Sequence, residues 1–188
     1  MTSLGIPAAS ASKRKETIVA DVTRRLAKLR VPLGYALGAI AIGFAAPTTR
    51  SLAVGAGIGA IGEALRLWAA GHLEKGREVT STGPYALTRH PLYTGSVIMG
   101  IGFAVAAHSA PVAALVFVYL AVTITAAIRS EEAHLTDKFG EDYPAYREGR
   151  AAPGARGFSL ERAMRNREYR AMLGFLAILL LLAARTYL

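Results

Sequence analysis

The sequence contains no cysteine, so disulfide bonds, thiolate metal sites and cysteine nucleophiles are excluded. We predict no metal site of any other kind. Acidic residues are also few, 13 against 22 lysines and arginines, and the formal net charge is +9. Such a balance can indicate nucleic-acid binding, so the positions of the basic residues have to decide what it means.

Charged residues are scarce in five apolar blocks of the chain. The blocks are residues 31–46, 51–70, 92–107, 112–128 and 172–188. Each approaches the roughly 20 residues that cross a ~30 Å hydrocarbon core. One such block could be the core of a soluble domain, but five could not. We therefore predict an all-α, polytopic membrane bundle of about five transmembrane helices.

The basic residues lie mainly between the blocks and on one side of them. Seven precede the first block, three lie between the second and third, and nine lie between the fourth and fifth. If each block crosses once, these 19 of 22 face one compartment, and only Arg50, Arg66 and Arg185 remain. This positive-inside pattern predicts an integral, multi-pass protein with a cytoplasmic N-terminus and a C-terminus on the opposite side. The basicity then reflects orientation and attraction to anionic lipid, and we predict no nucleic-acid partner.

Two segments outside the blocks have patterns of their own. In residues 12–30 apolar side chains recur at helical spacing, which predicts an amphipathic helix on the cytoplasmic membrane surface. We therefore divide the chain into a tail with an interfacial helix, residues 1–30, and a membrane domain, residues 31–188. Residues 129–170 predict an extension of the fourth helix, then a loop, then a new helix near Ser159.

Charges inside an apolar block are costly and are therefore candidates for function. Glu63 and Arg66 lie three residues apart on one face of the second block, and Trp68 and His72 follow toward its cytoplasmic end. A structural ion pair near the interface is the alternative. Position alone does not separate the two interpretations.

A polar segment, GPYALTRHPLYTG at residues 83–95, leads into the third block. Gly-Pro predicts a turn, while Arg89 and His90 place cationic or hydrogen-bonding groups at the membrane surface. Pro91 predicts a helix start, whose free N-terminal amides favour an anion. The segment is therefore a candidate cradle for a carboxylate or a phosphate.

Two further features follow along the chain. Gly100 and Gly102 leave bare backbone in the third block, either for a flat ligand or for a neighbouring helix. A second polar segment, EEAHLTDKFGEDYPAY at residues 131–146, opens with two adjacent carboxylates. These would repel each other unless they are solvated or paired with a cation, such as a ligand ammonium or sulfonium.

Together, the two polar segments resemble the isoprenylcysteine carboxyl methyltransferase and phospholipid methyltransferase superfamily of integral membrane enzymes. Its pattern is approximately G-P-Y-x-x-x-R-H-P-x-Y-x-G, followed one helical hairpin later by E-E-x-x-L-x-x-x-F-G-x-x-Y-x-x-Y, and both halves are intact here. The run LRLWA at residues 65–69 is also similar to the family's second span. The resemblance implies S-adenosylmethionine-dependent methyl transfer to a lipophilic acceptor at the cytoplasmic face, with the cofactor site mainly in residues 83–102 and 129–147.

The resemblance also implies roles for individual residues. The residues that would hold S-adenosylmethionine or close over it are Tyr85, His90, Tyr93, Gly100, Gly102, Glu131, Glu132, Tyr143 and Tyr146. A carboxylate acceptor would need a cation nearby, Arg66 or Arg129, and an amine or hydroxyl acceptor would need a base, Glu63, His72 or Glu132. The acceptor stays open among a prenylated thiol or carboxylate, a phospholipid amine and a sterol-like or quinone-like molecule. The oligomeric state is open as well.

Two other functions compete with methyl transfer. A membrane sterol or steroid reductase shares a similar fold, carries an R-H-P-N-Y-x-G-[DE] segment and uses NADPH. This chain has Leu92 where that segment has Asn, and Ser96 where it has the acid. A non-catalytic, lipid-binding membrane protein could keep the same fold as a scaffold, although the intact motif positions argue against it.

Overall fold

The computed structural model describes residues 32, 34, 36–150 and 154–187. Every regular element in these residues is helical and none is a strand, which confirms the all-α class. The predicted interfacial helix of residues 12–30 lies outside the described residues.

Five longer and two shorter α-helices make up the described fold. They are, in chain order, α1 (36–44), α2 (Thr49–Ala70), α3 (Pro91–Ala107), α4 (Ala110–Phe139), α5 (Asp142–Arg147), α6 (Leu160–Arg165) and α7 (Tyr169–Arg185), with a 3-10 turn over Gly83–Ala86 between α2 and α3. Each apolar block of the sequence therefore overlaps one of the longer helices.

Two of these helices, α2 and α4, are long and apolar enough to cross a bilayer, while α3 is apolar but shorter, with 17 residues. Only 22% of the apolar window of α4 is buried, and large apolar side chains such as Phe117 and Val118 are exposed. Such a surface fits lipid better than water. Of the five predicted spans, length and composition support two among the described residues.

Glycines bring α2 and α3 into backbone contact. A Cβ added to Gly102 would lie 2.6 Å from the Gly55 carbonyl oxygen, and a Cβ added to Gly62 would lie 2.6 Å from the Gly95 carbonyl oxygen. No real Cβ approaches an oxygen so closely, so both positions require glycine. Close approach through small residues is the usual way in which helices pack in lipid.

The packed core lies at the end of the bundle where α3 ends and α4 begins. Its buried members are Ala41, Ala45, Ala106, Ala107, Val112 and Leu182. From the far end of α7, the Arg185 guanidinium donates hydrogen bonds to the carbonyls of Ala45 and Gly43. This end is closed by packing, so the polar groups of the chain collect at the other end.

At that other end, the segment containing α6 covers the C-terminus of α2. Ser159 caps α6 by accepting a hydrogen bond from the Arg162 amide, which confirms the predicted helix start near this residue. The Asn166 side-chain amide donates to the carbonyls of Ala70 and Leu73, both at 2.8 Å. The last carbonyls of a helix have no partner within it, so these bonds satisfy groups that would otherwise need water.

Candidate functional site

A cavity of about 490 Å³ opens at the polar end of the bundle. The C-terminal end of α2, the loop after it, the start of α3, the middle of α4 and the helix α5 contribute its walls. Of the twelve site residues predicted from the sequence, seven line this cavity: Arg66, Tyr85, His90, Tyr93, Glu131, Tyr143 and Tyr146. Its volume lies within the range typical of small-molecule sites.

His90 is placed by the start of α3, where it is the N-cap residue before Pro91. Its Nε2 lies 3.1 Å from Glu132 Oε1, and its Nδ1 lies 4.0 Å from Glu131 Oε2. Because a carboxylate can only accept, Nε2 carries the hydrogen of the shorter contact. The two polar segments of the sequence, residues 83–95 and 131–146, therefore meet through His90 and the carboxylate pair.

Glu131 and Glu132 differ in their surroundings although they are neighbours on α4. Glu132 also has Arg89 Nη1 at 3.7 Å, so its charge is compensated by the loop before α3. Glu131 lines the cavity, and the basic group that approaches it among the described residues is His90. Glu131 is thus the carboxylate of the pair that lines the cavity, while Glu132 is paired with His90 and Arg89.

Three tyrosines close the cavity on the side of α5. The Tyr146 hydroxyl donates a 2.6 Å hydrogen bond to the Tyr85 carbonyl, which ties α5 to the loop before α3. Tyr143 is 2% exposed, and its hydroxyl lies near the Glu132 carboxylate without a well-aligned hydrogen bond among the described residues. Burial, with a smaller effect of the Glu132 carboxylate, raises the pKa of Tyr143 to about 12. Burial also raises the pKa of Tyr85 and Tyr146, so all three rings stay neutral at physiological pH.

Arg66 enters the cavity from α2 and is held on two sides. Its Nη1 donates to the Leu92 carbonyl at 3.2 Å and to Ser96 Oγ at 2.5 Å. Its Nε lies 2.7 Å from Glu168 Oε1, an ion pair in which the N–H does not point directly at the oxygen. The expected ion-pair alternative for this block is therefore found, but the paired carboxylate is Glu168 and not Glu63.

The other predicted site residues are not brought into the cavity. Arg129 is exposed on α4, and Glu63 has a buried Oε2 without a hydrogen-bond partner among the described residues. Neither lines the cavity. His72, considered as a base, is buried with its Nδ1 at 3.0 Å from the Trp68 carbonyl and lies outside the cavity wall too.

Gly100 and Gly102 are also outside the cavity wall. Gly102 packs against Gly55 and Gly59 of α2, and a Cβ added to Gly100 would meet the Leu120 side chain of α4. Of the two possibilities left open by the sequence, a ligand or a neighbouring helix, Gly102 is found against a helix, while Gly100 lies beside α4 and also lines a second, apolar cavity.

A second cavity of about 360 Å³ lies on the apolar side of the first. Residues of α1, α3, α4 and α7 line it. The side chains that α4 and α7 contribute are uncharged, except for Arg170 of α7. Tyr119 and Leu120 line both cavities. The polar site and an apolar space between the helices therefore share a wall.

Glu168 is the residue of this site that sequence reasoning missed. It lies between α6 and α7, is 6% exposed, and is the carboxylate that forms an ion pair with Arg66 within the described part of the chain. A signal existed, because Glu168 is the last acid before the fifth apolar block and stands among several arginines. Nothing in that pattern identified a partner on α2.

Comparison with known protein families gives one match, the family described as phospholipid methyltransferase, over residues 33–142. These residues make up more than half of the chain and include α2, α3, α4 and the carboxylate pair. The match ends at the first residue of α5, so Tyr143, Tyr146 and Glu168 lie beyond it.

Two curated relatives are similar over a shorter stretch. The nickel-cobalt-cadmium resistance protein NccN of Alcaligenes xylosoxydans xylosoxydans is 36% identical over 78 residues, 40% of this chain and 37% of the relative. The cobalt-zinc-cadmium resistance protein CzcN of Cupriavidus metallidurans is 33% identical over 78 residues, 40% of this chain and 36% of the relative. The matched stretch thus covers less than two fifths of either relative's length. No solved structure matches the chain.

Proposed function

The chain belongs to the phospholipid methyltransferase family, and from that premise we propose that it transfers a methyl group from S-adenosylmethionine to a lipophilic acceptor at the cytoplasmic membrane face. The observation that supports this most is the meeting of Glu131, His90 and three tyrosines around one cavity at the polar end of the bundle. The family match favours methyl transfer over the sterol or steroid reductase and over a non-catalytic lipid-binding protein.

The residues around the cavity fit the cofactor chemically. Glu131 supplies a carboxylate for its ammonium, and the first amides of α3 with His90 suit its carboxylate. The aromatic rings of Tyr93 and Tyr143 suit a sulfonium, because a cation is attracted to a ring face. The buried Tyr143 hydroxyl, which has no well-aligned hydrogen bond among the described residues, offers a donor to whatever occupies the cavity.

We propose Arg66 as the group that meets the acceptor. Of the residues considered for this role, it alone lines the cavity while also standing in a membrane-spanning helix. Its guanidinium can bind a carboxylate or another anionic group of an acceptor that arrives from the lipid side. Arg129 and Glu63 are less suited, because neither lines the cavity.

In this mechanism the protein contributes mainly by orienting the two reactants and by excluding water from the cavity. S-adenosylmethionine, when bound, supplies an electrophilic methyl group, and the acceptor's nucleophilic atom must lie in line with it. Arg66 orients the acceptor, and Glu131 orients the methyl donor. Tyr143 and Tyr146 exclude water from the side of the cavity that α5 closes. Holding two reactants in a near-attack geometry can lower the barrier by ~7–11 kcal/mol. An acceptor that is already ionised has no proton to lose, so it needs no strong base.

The proposed location follows the same reasoning. A multi-pass arrangement with a cytoplasmic N-terminus would put residues 71–90 and 129–168 on the cytoplasmic side, where the cofactor is available. The apolar cavity that shares Tyr119 and Leu120 with the polar one would then lie within the bilayer and admit the lipophilic part of the acceptor.

The test is direct. Purified protein in detergent is titrated with S-adenosylhomocysteine by calorimetry, and separately incubated with methyl-labelled S-adenosylmethionine and a total membrane lipid extract. We expect saturable binding and label in a lipid fraction, and identifying that product gives the acceptor. Absence of both binding and label would refute the proposal, and a thermal shift with NADPH in their place would favour the reductase.

A further inference from the structure

The charged contact between α2 and the start of α7 is, with Arg162–Glu74, one of the two least exposed ion pairs in the described part of the chain. The side chain of Glu168 is 7% exposed and that of Arg66 is 18% exposed, with 2.7 Å between Oε1 and Nε. Burying two charges is costly and is tolerated when the partners compensate each other. Such a pair needs a reason beyond stability, because an apolar pair of similar size would often be as stable.

The segment that carries Glu168 is fixed to the same helix that carries Arg66. Asn166, two residues before Glu168, donates hydrogen bonds to the carbonyl of Ala70, the last residue of α2, and to that of Leu73 in the loop after it. Arg162 Nε lies 2.8 Å from Glu74 Oε1, and its Nη1 donates to the Gly71 carbonyl. Glu168 therefore has a position that is set by several bonds to the end of α2, and it does not depend on the ion pair itself.

Arg66 has one free edge in this arrangement. Glu168 takes Nε, and the Leu92 carbonyl and Ser96 Oγ take Nη1, so the guanidinium plane is fixed between α7 and α3. Among the described residues Arg66 Nη2 donates no hydrogen bond, and the side chain lines the 490 Å³ cavity. The remaining donors of a planar, five-donor guanidinium are then available to a ligand in a defined direction.

From these contacts we propose that Glu168 is a positioning residue, which holds the Arg66 guanidinium against α3 so that its free donors meet the methyl acceptor. This inference rests on the proposed function. Glu168 does not itself line the cavity, and its ion pair is with Arg66, which does, so its effect on the reaction passes through Arg66.

The test compares Glu168→Gln, Glu168→Asp and the control Glu161→Gln. Glu161 is an acid on the nearby helix α6 whose side chain is 90% exposed. Each variant is assayed for S-adenosylhomocysteine affinity by calorimetry and for methyl transfer from labelled S-adenosylmethionine to the total lipid extract. Glu168→Gln should reduce kcat by roughly 10- to 100-fold, the effect of misplacing a reacting group by about 1 Å, and leave the affinity within about twofold. Glu161→Gln should match the wild type in both.

Two further measurements separate positioning from a structural role. Glu168→Asp keeps the charge, so it should recover part of the lost kcat. In a double-mutant cycle, Arg66→Gln and Glu168→Gln together should lose no more activity than Arg66→Gln alone, because both act at one point. Additive losses, or a fall in cofactor affinity as large as the fall in kcat, would overturn the proposal.

Each possible outcome supports or refutes the positioning role of Glu168. If Glu168→Gln does not survive purification, Glu168→Asp carries the test, and an unchanged kcat in that variant would overturn the proposal. A wild-type protein that neither binds S-adenosylhomocysteine nor transfers label would refute the proposed function instead. A wild type that does both, with Glu168→Gln equally active, would refute the positioning role alone.

Discussion

Replacing Gly102 by alanine separates its two candidate roles, helix packing and cofactor binding. The new Cβ would lie 2.6 Å from the Gly55 carbonyl oxygen and 2.6 Å from the Gly59 amide nitrogen. Both contacts are with backbone, so no side chain can rotate away, and α2 and α3 must separate by about 0.4 Å or more.

The expected cost follows from two opposed effects. Overpacking of this kind costs about 1–3 kcal/mol, and contacts with rigid backbone point to the upper part of that range. Alanine regains about 1 kcal/mol of helix propensity relative to glycine. The net destabilisation is then about 2 kcal/mol, which corresponds to a melting temperature lower by roughly 4–8 °C for a chain of this size.

The measurement is thermal unfolding in detergent, with S-adenosylhomocysteine affinity determined on the folded protein at low temperature. Gly57→Ala is the matched control, because it stands in α2 with nothing within 4 Å of the added Cβ. It should unfold at or slightly above the wild-type temperature. If Gly102→Ala melts with the wild type and yet loses cofactor affinity, the packing argument is wrong and Gly102 belongs to the cofactor site.

Three other predictions follow from the same structure. Glu131→Gln should weaken S-adenosylhomocysteine binding by roughly 10- to 100-fold, the worth of a charged hydrogen bond, while Glu141→Gln, exposed and outside the cavity, should bind like the wild type in the same calorimetric titration. Tyr143→Phe should melt no lower than the wild type, because the buried hydroxyl has no well-aligned hydrogen bond among the described residues, but should bind the ligand roughly 2- to 10-fold more weakly; a lower melting temperature would show a hidden partner. The hydrogen bond from Arg162 lowers the pKa of the Glu74 carboxyl, so its contribution to stability is present above about pH 4.5 and is lost as the pH falls. Glu74→Gln should flatten that acid limb in melts recorded from pH 3 to pH 7, and an unchanged limb would contradict the assignment.

Much of the fold was predictable because each apolar block carries its own signal. The five blocks each overlap a longer helix, and the extension of the fourth beyond its apolar part was expected from the polar run that follows it. The meeting of His90 with Glu132 was also implied, since the two family segments are separated by one helical hairpin. Local spacing was sufficient for these features.

The partners of Arg66 and Gly102 were not predictable in the same way. Arg66 was expected near Glu63, three residues away, but the buried partner is Glu168, which is about one hundred residues further along the chain. Its approach depends on how the end of α2 is covered by Asn166, and no local pattern encodes that contact. For Gly102 the sequence offered a ligand or a helix, and only the crossing of α2 and α3 distinguishes them.

The helix α4 runs without interruption for 30 residues from Ala110 to Phe139, and it carries both an apolar half and the carboxylate pair. A water-soluble fragment with the carboxylate pair could be obtained only by cutting this helix, which would free Glu131 and Glu132 from the helix that orients them. Deletion of a single residue within the membrane part would turn both carboxylates by about 100° around the helix axis and draw them back by ~1.5 Å. The position of Glu131 and Glu132 relative to the cavity therefore depends, to the residue, on the length of the apolar half of α4.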